Sequence, residues 1–138
     1  MTANTDQSLV QRYDPPWSVR AYIGISWLLG WVLVLDGLYQ RLWGAYLPLD
    51  PAWMPWAALV RALGFGPLDS GWPLICLGFG LIGSGFGLVA RRRWGYNIGL
   101  GSALLALAYP YLGTVLGLIG IACLSLPITR RYVQSSRL

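Results

Sequence analysis

The charges of this chain leave long stretches of it empty. Asp36 is the only charge between Arg20 and Arg41, no charge falls between Asp69 and Arg91, and the 36 residues from Trp94 to Thr129 carry none. About 20 consecutive apolar residues form a helix long enough to cross a hydrocarbon core of about 30 Å. All three stretches are near or above that length. Hydrophobic residues make up 56% of the 138 positions and charged residues 11%, against about 45–50% and about 25% in ordinary soluble domains. The fold class expected is therefore all-α: an integral membrane four-helix bundle with a short interfacial helix between spans 1 and 2. The length allows one such bundle and no second domain.

The spans are expected at about 22–43, 71–90, 94–108 and 112–129, within a single membrane domain covering 21–129. The last two are read from the charge-free stretch, which as one straight helix would measure about 54 Å. Pro110 and Gly113, in the segment Tyr109-Pro110-Tyr111-Leu112-Gly113, supply a break, and the flanking tyrosines suit a membrane interface. Between spans 1 and 2, residues 51–63 read as a helix too short to cross. Asp50 can cap it, Pro51 suits its first position, and Trp53, Trp56, Ala57, Val60 and Leu63 recur at helical spacing. The polar stretch 1–20 lacks the pattern of a secretory signal and is expected, with 130–138, to be a cytoplasmic tail.

Arginine placement gives an orientation. All ten basic residues are arginine. With four spans, Arg12, Arg20, Arg91, Arg92, Arg93, Arg130, Arg131 and Arg137 share one side, and only Arg41 and Arg61 fall opposite. The excess of positive charge on cytoplasmic loops then puts both termini inside, in a bacterial inner (cytoplasmic) membrane. Two belts of Trp and Tyr agree with these depths, with Trp17, Tyr22, Trp94 and Tyr96 in one and Trp43, Trp56, Trp72 and Tyr109 in the other. The high isoelectric point, near 9.6, points to anionic lipid headgroups, for which Arg91, Arg92, Arg93, Arg130 and Arg131 are the candidates, and not to nucleic acid.

Small residues mark the expected packing faces. Gly80 and Ser84, Gly83 and Gly87, Gly95 and Gly99, and Gly113 and Gly117 are each four apart, a spacing that leaves smooth grooves for close helix approach. Gly78, Gly80 and Gly83 also spell G-x-G-x-x-G. A dinucleotide site needs a strand before that motif and an acidic residue about 20 positions after it, and no Asp or Glu follows Asp69.

Chemistry has few candidates. The chain has no histidine, and its two cysteines, Cys76 and Cys123, fall at different depths. No catalytic or metal-ligating constellation is present, so an enzyme is not expected. No cofactor is required, and no ligand residue points to a pigment or bound lipid tail. Asp36 is the one acid inside a span. A carboxylate there is costly unless paired, protonated or wetted. Gln40 lies one turn on, and Arg41 or Arg61 can approach, so the leading expectation is an ion pair that pins the short helix to span 1.

The stretch from Gly87 to Val133, with Arg92-Arg93-Trp94-Gly95, a glycine-rich hairpin and the closing Leu126-Pro127-Ile128-Thr129-Arg130-Arg131-Tyr132, resembles the second half of small four-span bacterial membrane proteins of uncharacterised function. The resemblance implies a bundle and no particular activity. The function expected is a non-catalytic accessory or structural subunit of a larger membrane protein complex, respiratory or photosynthetic, with membrane lipids as its other partners. The alternative is a small transporter, channel or lipid-handling protein that uses Asp36. Orientation is open to a direct test: in a Cys76→Ala/Cys123→Ala background, Ser136→Cys should resist an impermeant thiol reagent in intact cells and react once the cells are opened.

Overall fold

The computed structural model describes residues 15–45, 55–66, 69 and 71–134. Every regular element among them is a helix: α1 Trp17–Trp43, α2 Pro55–Ala62, α3 Gly71–Val89, α4 Arg93–Ala106, α5 Leu112–Ser125 and α6 Pro127–Gln134. Asp50, Pro51 and Trp53 lie outside the described residues, as do 1–14 and 135–138 of the two expected tails. Two helices, α1 and α3, are long and apolar enough to cross a membrane. A third crossing is available if α5 and α6, bent by 61° at Leu126, count as one span.

Local chemistry explains the ends. At the close of α3 the N–H of Arg92 donates to the Gly87 carbonyl at 2.8 Å and that of Arg91 to Leu88 at 3.0 Å, with Arg91 itself left-handed at φ 52°. This pair of bonds satisfies carbonyls left over at a helix end, with arginine where glycine is usual. The charge-free stretch does break, at 107–111, where Tyr111 also takes a positive φ, 57°. It breaks again at Leu126, because proline has no N–H and its ring collides with the preceding turn, so Pro127 starts a new helix. The expected boundary at residue 129 is therefore corrected: α5 stops at Ser125, and α6 carries the chain through Arg130 and Arg131 to Gln134. α1 starts at Trp17, five residues earlier than expected. At 14 residues each, α4 and α5 measure about 21 Å.

The four longer helices close a ring in chain order, α1 on α3, α3 on α4, α4 on α5 and α5 back on α1, while α6 folds under α5 and touches α1 and α4. One end of the bundle holds the C-terminus of α1, α2 and the start of α3, and is called the loop end below. The opposite, basic end holds the start of α1, Arg91 to Arg93 and α6. α2 turns Trp56, Ala57 and Val60 into the core cluster that includes Leu33, Leu74 and Tyr109. Its apolar face is thus covered by protein.

Solvent preference is inverted across the bundle. On α1 the buried residues include Ser18, Ser26, Asp36 and Gln40, while Trp27, Leu28, Trp31, Leu35, Leu38 and Leu42 are exposed. On α3 Phe79 and Phe86 are exposed, and on α5 Val115, Leu118 and Ile119. Water-soluble monomers rarely leave apolar surface of this extent uncovered.

Glycine sets the distance between α1 and α3. A Cβ on Gly30 would lie 2.8 Å from the Gly78 carbonyl oxygen, and one on Gly37 would lie 2.7 Å from that of Gly71. The two facing pairs run antiparallel, seven residues apart on both helices, and on α3 Gly85 continues the spacing, where it faces Ser26. Of the glycines expected to pack, Gly87 and Gly95 meet each other backbone to backbone, Gly99 accommodates Tyr22, Gly113 and Gly117 lie against Ala106 and Ala103 on α4, and Gly80 faces Ser102. Gly83 has nothing within 4 Å. Substituting Gly30 or Gly78 by Val should therefore destabilise the detergent-solubilised protein by about 2 kcal/mol or more in thermal or denaturant unfolding, with Gly83→Ala within about 0.5 kcal/mol of the parent.

Candidate functional site

Many of the buried polar groups of the bundle lie along one stripe of α1. Ser18, Tyr22, Ser26, Asp36 and Gln40 recur at helical spacing and all point inward. Three of them each reach a different part of the bundle. At the basic end, Ser18 Oγ lies 2.8 Å from Thr129 Oγ1 of α6, and Thr129 donates its proton to the Cys123 carbonyl at 2.8 Å. Since a hydroxyl has one proton to give, Ser18 is the donor in the first bond. The same reasoning makes Tyr22 the donor to Ser84 of α3 at 2.8 Å, because Ser84 donates to the Leu81 carbonyl at 2.7 Å.

Asp36 is the one ionisable carboxyl of the stripe and is only 1% exposed. The Tyr109 hydroxyl donates to its Oδ2 at 2.7 Å. Tyr109 is itself buried and sits in the break between α4 and α5, so this bond ties the break to α1. Gln40, one turn on, lays its Oε1 over Gly71, where a Cβ would come within 2.6 Å of it. The Trp56 indole N–H is buried nearby in the core cluster and has no acceptor among the described residues.

The arginines at this end are placed outside that cluster. Arg41 Nη1 is 3.2 Å from Asp69 Oδ1, both side chains being about half exposed, and its guanidinium lies 5.8 Å from the Trp72 ring centroid. Arg61 is exposed on α2. One donor to Asp36 is thus a neutral phenol, and the Arg41–Asp69 pair joins α1 to the segment that leads into α3. Tyr109 was assigned to the membrane interface by sequence. Its role as the donor to Asp36 needed a contact across 73 positions of chain, for which periodicity carries no signal.

At the basic end, Arg91 packs its guanidinium 4.6 Å from the Tyr132 ring centroid, linking the end of α3 to α6. A cavity of about 390 Å³ opens between α4 and α6, lined by Arg93, Tyr96, Asn97, Arg130, Val133 and Gln134. Arg92 and Arg131 are exposed and lie outside its lining. Among the described residues no group of three or more His, Cys, Asp or Glu side chains is placed to hold a metal ion. Gly78, Gly80 and Gly83 fall inside the unbroken α3, with no strand-to-helix junction at which a dinucleotide could sit.

Fold and faces together define an all-helical bundle with two to three helices able to cross a membrane. No protein-family model matches the chain, and neither curated proteins nor solved structures give a match. The site has to be read from its own chemistry. Tyr109→Phe should cost about 1 kcal/mol of stability. Asp36→Ala, which strands the phenol proton, should cost about 2 kcal/mol in the same unfolding measurement, and Asp36→Asn, which keeps an acceptor, less than Asp36→Ala.

Proposed function

We propose that this chain is a four-span protein of a bacterial inner membrane, with both termini in the cytoplasm, that serves as a non-catalytic accessory subunit of a larger membrane assembly. The observation that carries the reading is how the bundle uses its polar groups. The hydroxyls of Ser18, Tyr22, Ser84, Tyr109 and Thr129 are engaged in bonds between or within helices, and Asp36 is closed off from solvent. Such an interior holds helices together. The broad apolar exterior, with Trp27 against Phe86 at 5.3 Å between ring centroids and Trp31 half exposed, is where lipid or a neighbouring subunit would sit.

Four crossings require α4 and α5 to span with help from the residues that flank them. Each is shorter than a hydrocarbon core, and the bilayer can thin, or flanking side chains can reach the interface, at modest cost. Arg93 at the start of α4 and Tyr111 just before α5 support this reading, since their side chains are long enough to reach an interface.

A second reading, a small transporter, channel or lipid-handling protein, rests on Asp36 being the only acid within α1. It requires that carboxylate to meet water during a working cycle. Extraction in mild detergent followed by native electrophoresis discriminates the two. Co-migration with a larger assembly is expected, and the pigment or haem content of that band would read out whether the host is photosynthetic or respiratory. A solitary small oligomer, or an ion flux lost in Asp36→Asn with the protein's assembly intact, would favour the second reading.

A further inference from the structure

The cavity at the basic end is built from two matched sets of side chains. Arg93, Tyr96 and Asn97 stand at i, i+3 and i+4 on α4, and Arg130, Val133 and Gln134 stand at the same spacing on α6. Each helix therefore presents one guanidinium, one carboxamide and one less polar side chain to the shared space. Helical neighbours three and four apart lie on one face, so each set lines the shared cavity from a single helix face.

The cavity's chemistry is that of an anion site. Two guanidinium forks and two carboxamide N–H₂ groups are donors, and a guanidinium has no acceptor to offer. No acidic residue occurs anywhere on α4, α5 or α6, and neither Arg93 nor Arg130 forms an ion pair with a carboxylate among the described residues. Guanidinium forks match the geometry of phosphate oxygens, with two parallel bonds per group. The volume, about 390 Å³, is in the range of small-ligand sites, about 300–1,000 Å³.

What surrounds the cavity selects the source of the phosphate. Trp94 and Ile98, each adjacent in sequence to the lining, and Ile128, two residues before Arg130, are exposed, and Ile98 continues along α4 through Gly101 to Leu104 and Leu105, all exposed. A ligand with a charged head and apolar tails satisfies both regions at once. We propose that this cavity binds the phosphodiester headgroup of an anionic phospholipid, with its acyl chains running along the exposed face of α4. The site rests on the membrane reading above and is independent of the accessory role.

The test titrates the delipidated, detergent-solubilised full chain with phosphatidylglycerol, phosphatidylcholine or inorganic phosphate, counting bound lipid by native mass spectrometry. Phosphatidylglycerol should bind, and phosphatidylcholine, whose charge is internally compensated, should bind at least about tenfold more weakly. The R93Q/R130Q variant should lose phosphatidylglycerol affinity about tenfold or more, while R92Q/R131Q, which removes the same charge from the same end but outside the cavity, should stay within about twofold of the parent. N97A/Q134A, which changes no charge, should weaken binding about fivefold through lost hydrogen bonds. Equal losses in the two arginine variants would show diffuse surface charge and overturn the site, as would undiminished binding in R93Q/R130Q. Inorganic phosphate displacing phosphatidylglycerol at equal concentration would overturn the lipid as the source. Recovery of the chain in the membrane fraction, measured separately, shows whether a failure touches the membrane reading or this site alone.

Discussion

Direct backbone contact between α1 and α3 is the constraint on which the rest of the bundle depends. Gly30 faces Gly78 and Gly37 faces Gly71, so the two helices lie closer than any side chain would allow. Between helices immersed in lipid there is no hydrophobic gain from burying leucine against leucine, and attraction comes from dispersion at close range and from hydrogen bonds. Close approach of α1 and α3 brings Tyr22 within reach of Ser84, and Gln40 over Gly71. The other helices are then arranged around this pair.

Polar side chains complete what the glycines begin. Along α1 they come at three heights, Ser18 near the start, Tyr22 one turn on, and Asp36 toward the far end, and they reach α6, α3 and the break between α4 and α5 in turn. Each bond therefore fixes a different neighbour to the same helix. The carboxylate of Asp36 is the costliest group in the bundle to bury, and its bond from Tyr109 secures the one place where the charge-free stretch reverses direction. The two ends differ in character. The loop end is closed by α2 and by the Arg41–Asp69 pair, whereas the basic end keeps an open, donor-rich cavity.

Much of this was legible from particular residues. The bare stretch from Trp94 to Thr129 was too long for one crossing, and the structure breaks it beside Pro110, as expected. The second break, before Pro127, was missed because apolar composition continues across it, although proline at that position carries the signal. Four-residue glycine spacing found the faces of Gly87, Gly95, Gly99, Gly113 and Gly117. The same rule passed over Gly30, Gly37, Gly71 and Gly78, whose spacing of seven was present in the chain and marks the close backbone contact of α1 with α3. Gly83 satisfied the rule and faces open space, since spacing names a stripe on a helix without naming what opposes it.

The order of amino acids by itself determined that this chain is helical, that its long apolar segments exist and roughly where they lie, and that most of its arginines cluster between them, because hydropathy, proline and charge act over neighbouring residues. Only the tertiary structure decided that Tyr109 would serve Asp36, that α2 would turn its tryptophan inward, and that Arg93 and Arg130 would share one cavity. Tyr109 and Asp36 are 73 positions apart, and Trp56 packs with residues of α1 and α3, so these pairings depend on how the helices pack in three dimensions, which neighbouring residues do not encode.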